Sequence, residues 1–255
     1  MEILLRRALV VAALLGFAGC GGGMTSQPSS LSSQPTIAFV HSGVPVAPPV
    51  ALRAFPHESG SGKYPTKKSL LFEGDQDEAA VNIYKTADLA SNPPPIASIH
   101  AAHGCPYGLA ADKKGTIYVA DNCPSGSFLG DVEEFPKGST TLKTTITSGI
   151  SDPLGIAIDK SGTLYVTGYN PASISEYSAG ATSPSKVVTG GGLVEPFGLV
   201  LDASGNLYIA DSGAGAIFEL PAGGSSVTNL GLQGLGEPIG LGIDLKTGYL
   251  WETGG

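Results

Sequence analysis

The chain has 255 residues, with 14 Lys+Arg against 22 Asp+Glu and a net charge of −8. An acidic chain with no basic cluster repels phosphate backbones, which disfavours nucleic acid as a partner. Glycine (37) and proline (19) are abundant while Trp (1) and Met (2) are scarce, as many short strands and tight turns require.

Residues 1–19 read as a targeting segment. Arg6 and Arg7 form a positive start, and Ala8 to Phe17 is an apolar run too short for a comfortable membrane span. The run ends Phe17-Ala18-Gly19-Cys20. Small residues before a cysteine resemble the cleavage box of bacterial lipoproteins, although Phe17 stands where leucine is usual. That resemblance implies a mature protein beginning at a lipidated Cys20; an ordinary signal peptide is the alternative. Residues 20–35 are rich in Gly, Ser, Gln and Pro, a flexible tether. The expected location is therefore extracytoplasmic, in the bacterial envelope (outer membrane or cell surface), with membrane contact through the lipid alone. Residues 36–68 are a Pro-rich linker or N-terminal strands.

The rest of the chain repeats itself. Pro106-Tyr-Gly-Leu-Ala-Ala-Asp112 returns as Pro153 to Asp159, Pro196 to Asp202 and Pro238 to Asp244, with starts 47, 43 and 42 residues apart. A period near 40 to 50 containing short strands predicts a β-propeller. Each copy reads as a buried inner strand, an Asp-x-x-Gly turn, and a second strand such as Asn206 to Asp211. A third strand such as Ile217 to Leu220 and a weaker Val/Thr-rich fourth follow. Four antiparallel strands make one blade. Blades are expected at about 69–105, 106–152, 153–195 and 196–237, with a partial one at 238–255. The first lacks its inner strand: Ser69 to Glu73 reads as a second strand, Val81 to Tyr84 as a third, Ile96 to His100 as a fourth.

Gly155-Ile-Ala-Ile-Asp159, Gly162-Thr-Leu-Tyr-Val166 and Gly205-Asn-Leu-Tyr-Ile-Ala-Asp211 resemble NHL-type repeats. They also resemble the wider six-bladed TolB-like group that includes virginiamycin B lyase-like and gluconolactonase-like proteins. The resemblance covers about residues 69–255. It implies an all-β propeller closing a ring of six, of which about four and a half blades are visible. Two explanations are open: truncation after Gly255, which is favoured, or unrecognised strands within residues 36–68.

Most repeated residues are architecture. Asp112, Asp159, Asp202 and Asp244, with Gly115, Gly162, Gly205 and Gly248, are expected to build the turns. Asp121 and Asp211 are read as caps at second-strand ends. Glu134, Glu176 and Glu219 are expected to face solvent by period-two alternation. Counting outward from the turn at Lys113 and Lys114, Cys105 and Cys123 fall opposite each other, which predicts a disulfide. The bridge would staple the base of a long connection. From the second-strand Tyr to the third strand takes 14 residues in this blade and 9 in the next two.

His41 and His57 lie in the linker. His100 and His103 precede the inner strand of the cysteine blade; a zinc site or a catalytic base there finds no supporting ligands. The end of the propeller where inter-blade segments emerge should gather His100, His103, Asn122, Tyr169, Asn170, Asp211, Ser212 and Glu252. The favoured function is a binding module for a protein or glycan, without metal or cofactor. The alternative that the resemblance permits is a lyase or lactonase; gluconolactonase-like propellers hold a divalent metal with acids and an Asn, and no such set is placed here by motif.

Overall fold

The structure, a computed structural model, describes residues 63, 69–91, 93–102, 104–123 and 129–254. Five antiparallel sheets follow one another along the chain. The first holds β1 (Leu70–Asp75), β2 (Ala80–Lys85) and β3 (Ala97–His100), with a short 3-10 helix at Thr86–Ser91. The second holds β4 (Pro106–Ala111), β5 (Ile117–Asp121), β6 (Asp131–Phe135) and β7 (Thr144–Ile146). The third holds β8 (Pro153–Ile158), β9 (Leu164–Gly168), β10 (Ser173–Tyr177) and β11 (Lys186–Thr189). The fourth holds β12 (Pro196–Leu201), β13 (Leu207–Asp211), β14 (Ala216–Leu220) and β15 (Thr228–Asn229). The fifth is the pair β16 (Pro238–Ile243) and β17 (Leu250–Gly254). The blade count read from the repeats agrees with these sheets.

Each hairpin between inner and second strand turns on a repeated aspartate. Asp159 Oδ1 accepts from the amides of Ser161 and Thr163 at 2.8 Å. Asp112 and Asp202 make the same pair of bonds at 2.9 and 2.8 Å. The glycine that follows sits at φ 87 to 91° in these three turns, a region that side chains avoid. Burial raises the Asp159 pKa, but hydrogen bonds from Thr163 and Ser161 outweigh it and hold the carboxyl below its ordinary value. Asp244 closes its longer turn by accepting from the amides of Lys246 and Thr247.

The Pro-x-Gly of each inner strand has a packing reason. The register of β4, β8, β12 and β16 shifts at or just after that tripeptide, a β-bulge. The bulge lets neighbouring inner strands meet backbone to backbone. A Cβ on Gly108 would stand 2.6 Å from the Leu154 oxygen, on Gly155 2.1 Å from the Phe197 oxygen, and on Gly198 2.5 Å from the Ile239 oxygen. The Thr167 hydroxyl joins this seam, donating to the Phe197 oxygen at 2.8 Å and accepting from the Gly155 amide at 2.6 Å.

The sheets stack face to face, with an apolar cluster in each seam. Phe72, Val81 and Ile99 meet Leu109, Val119 and Phe135 between the first and second sheets. Tyr118, Val132 and Ile146 meet Ile156, Val166 and Tyr177 in the next seam. Ile174 and Val188 meet Leu199, Ile209 and Phe218 in the third, and Tyr208 and Ile217 meet Leu250 in the fourth. Strand β1 packs on β4 as β5 packs on β8, which gives it the place of a second strand.

Stacking on both faces overturns one expectation. Glu134 and Glu176 are buried, at 8% and 9% exposure, and Glu219 is half-buried. Alternation assigns a solvent face only to a sheet with one free side. Glu134 instead accepts from the Tyr118 hydroxyl at 3.2 Å and pairs with Lys143 at 3.2 Å. Glu176 pairs with Lys186 at 2.8 Å.

Candidate functional site

One end of the stack collects the segments that enter the inner strands and the connections from second to third strands. Its level is set by the register pairs Pro106 with Asp121, Pro153 with Gly168, Pro196 with Asp211 and Pro238 with Gly254. His100, paired with Ala80 at the end of β3, belongs to this end and is exposed. Asn170 is exposed, Tyr169 and Ser212 are half-buried and Asn122 is buried. His103 lies outside the described residues, as do Cys20, His41 and His57.

Asn122 and two more of the expected rim residues, Asp211 and Glu252, are not displayed. Asp211 is fully buried and accepts from the amides of Val194 and Glu195 at 2.8 Å and of Ala214 at 3.0 Å. It holds the chain that leads into β12. Asp121 does the same for β4, accepting from Gly104 at 3.2 Å and Cys105 at 2.8 Å. Glu252 lies two residues inside the end of β17 and is buried, at the strand position that Ile209 occupies in β13.

Between the third and fourth blades the surface is polar with an aromatic side. The Tyr169 hydroxyl donates to Glu195 Oε1 at 2.9 Å, and Ser212 donates to Glu195 Oε2 at 3.3 Å. That bond and the Glu195 charge push the phenol pKa up. The Tyr169 ring meets Phe197 edge-on, with centroids 6.0 Å apart. Aromatic faces beside an amide, a carboxylate and a hydroxyl suit a sugar or a polar peptide.

The second blade departs from its neighbours in three linked ways. Cys105 and Cys123 are bridged, with Cα atoms 5.0 Å apart, which fastens the start of the β5–β6 connection to the entry of β4. The far end of the connection is fastened to the third blade. The Asp152 amide donates to the Leu129 oxygen at 2.6 Å, and Gly130 lies so close to Pro153 that a Cβ would stand 2.2 Å from its Cδ. Leu129 itself is 58% exposed. Residues 124–128, between these anchors, lie outside the described residues.

The third departure is a buried acid cluster. Asp121, Asp131 and Glu133 place carboxylate oxygens within 4.8 Å of one another. Burial pushes the Glu133 carboxyl up to about 7; the Ala102 amide opposes that rise, and the charges of Asp131 and Asp121 add to it. Glu133 Oε1 accepts from Ala102 at 2.7 Å. Its Oε2 and the buried Asn122 Oδ1 have no hydrogen-bond partner among the described residues. Three carboxylates out of water need a proton or a cation among them. Sequence reasoning missed Asp131 and Glu133. The signal was a comparison of repeats: the matching residues are Ser173 and Ser175 in β10, and Ala216 and Phe218 in β14.

At the opposite, turn-bearing end, two shallow inter-blade grooves hold about 150 and 160 Å³. That is under the ~300 Å³ of the smallest usual ligand pocket.

Bulged inner strands in series and four-stranded sheets stacked through apolar seams make this a β-propeller. No protein-family model and no curated protein matches the chain. Solved structures do. A streptogramin B lyase is 12% identical with a TM-score of 0.56, over 73% of this chain and 62% of that one. A gluconolactonase from Xanthomonas campestris is 16% identical with a TM-score of 0.56, over 73% and 65%. A virginiamycin B lyase from Staphylococcus aureus is 14% identical with a TM-score of 0.50, over 65% and 53%. The chain thus spans less than two thirds of the length of each. At these identities the likeness shows the fold alone.

Proposed function

We propose that this protein is a lipid-anchored, extracytoplasmic propeller that binds a protein or glycan through the end bearing Leu129, Tyr169 and Asn170. The observation that carries the reading is the doubly anchored connection of the second blade. A disulfide fixes its start, the Asp152 amide holds its far end, and the apolar Leu129 side chain at that far end is exposed. Insertions confined to one end of a repeat fold commonly form its binding face. The acids Asp121 and Asp211 are already engaged with backbone amides there, which speaks against a catalytic pair.

The solved neighbours named as lyases and a lactonase supply the competing reading. Purified protein should give no saturable turnover of gluconolactone or a streptogramin B antibiotic with Mg²⁺, Ca²⁺ or Mn²⁺. Turnover that chelation abolishes would replace the binding reading with the enzymatic one. Anchoring is tested apart: Cys20→Ser should move the protein from the membrane to the soluble fraction, and unchanged membrane retention would contradict a lipid on that residue.

A further inference from the structure

We propose that Asp121, Asp131 and Glu133 share a proton that ties the first blade to the second, so that this seam is a pH-sensitive clamp. The geometry has three parts. Glu133 lies on β6 and is fully buried, yet its Oε1 accepts from Ala102, in the segment that leaves β3 of the first blade. Asp121, on β5, accepts from Gly104 and Cys105 of the same segment. Asp131 is the register partner of Asp121 at the start of β6. Two adjacent carboxylates of one blade therefore hold the exit of the blade before it, with the Cys105–Cys123 bridge beside them.

The comparison of repeats shows that this tie is special to the second blade. Its counterpart in the third is neutral, with the Ser175 hydroxyl donating to the Gly149 oxygen at 2.8 Å. In the fourth, the Phe218 ring lies against Gly192. Neither can titrate. In the second blade a carboxylate does the work, and its other oxygen, Oε2, has no partner among the described residues. A proton on Oε2 turns that atom into a donor within a cluster where Asp121, Asp131 and Glu133 each bring one carboxylate oxygen to within 4.8 Å of the others, while Oε1 keeps the Ala102 amide.

The sign follows from linkage. A carboxyl that holds its proton more tightly when folded stabilises the fold fully below its unfolded pKa, and the contribution is lost as pH rises through the folded one. For Glu133 the window runs from the ordinary 4.5 up to about 7. The acids facing it are Asp131 on its own strand and Asp121 on β5. Val81 and Ile99 of the first blade line the same seam and carry no charge. The histidines to exclude are His100, at the end of β3, and His103, which stands between Ala102 and Gly104 in the sequence.

The experiment is denaturant unfolding of the whole chain at steps from about pH 5 to about pH 8, for wild type, Glu133→Gln, Asp131→Asn, His100→Ala, His103→Ala and the exposed control Glu78→Gln. The wild-type unfolding constant should rise about 10- to 100-fold more than that of Glu133→Gln over this range, under the ~300-fold ceiling that the pKa difference sets. Asp131→Asn should show a reduced rise, and both histidine variants and Glu78→Gln the full one. Equal slopes for wild type and Glu133→Gln overturn the proposal. So does a slope that vanishes in either histidine variant, which would assign the proton to imidazole. Stabilisation by Ca²⁺ at the upper pH that Glu133→Gln abolishes also overturns it, since a cation would then fill the cluster. If Glu133→Gln does not fold, carbon NMR of the wild-type carboxyls decides: a buried Glu titrating near 7 supports the shared proton, and none above about 5 contradicts it.

Discussion

Gly155→Ala should cost about 3 kcal/mol or more and lower the melting point by about 6–12 °C. The methyl group would stand 2.1 Å from the Phe197 oxygen and 3.0 Å from Thr167 Oγ1. Neither yields easily. The oxygen belongs to the bulged backbone of the next inner strand, and the hydroxyl is held by Gly155 on one side and Phe197 on the other. Relief requires the third and fourth blades to part at the axis, which would loosen the apolar seam behind them. Gly242→Ala is the matched control, since its Cβ would meet only Trp251 Cε3 at 3.9 Å. That change should stay within about 0.5 kcal/mol. Thermal unfolding of the two variants side by side checks both; equal losses would mean that the inner strands are not in backbone contact.

Removing the bridge should cost a similar amount. Cys105 and Cys123 are 18 residues apart, and closing a loop of that length stabilises by about 3 kcal/mol through the unfolded state. The Cys105→Ala/Cys123→Ala protein should melt about 6–12 °C below wild type. A reductant should lower the wild-type melting point toward that of the variant and leave the variant unmoved. The structural consequence is local as well. The segment between β3 and β4 would keep its bonds to Asp121 and Glu133 but lose its covalent hold, and the start of the long connection would lose its fixed origin. A wild-type melting point indifferent to reductant, together with alkylation of both cysteines before any reductant is added, would show two free thiols.

The propeller was legible because the blades from the second onward repeat the same two backbone problems. One is the tight hairpin, solved by Asp-x-x-Gly; the other is the close approach of inner strands, solved by Pro-x-Gly. Both solutions leave residues that a reader can count. The cysteine pair was legible for the same reason, since the turn at Lys113 and Lys114 sets what faces what, and the bulge between Pro106 and Gly108 moves the count by only one. The short helix at Thr86–Ser91 was not legible, because it holds no buried residue and shows no periodicity. The buried state of Glu134 and Glu176 was hidden by a rule for one-sided sheets. Asp131 and Glu133 were hidden differently. Glu134 has Glu176 and Glu219 as counterparts and so stands out as a pattern, whereas a blade-specific acid one residue away is visible only when the repeats are aligned position by position.

The claim that matters most for function is that the end carrying Leu129 and Asn170 meets the ligand. The direct measurement places a photo-activated cross-linking residue at position 129, at 170 and, as the opposite-end control, at the exposed Leu245, and irradiates intact cells. The account predicts discrete adducts of the same mass from 129 and 170 and none from 245. Adducts from 245 alone, or equally from all three positions, would contradict it.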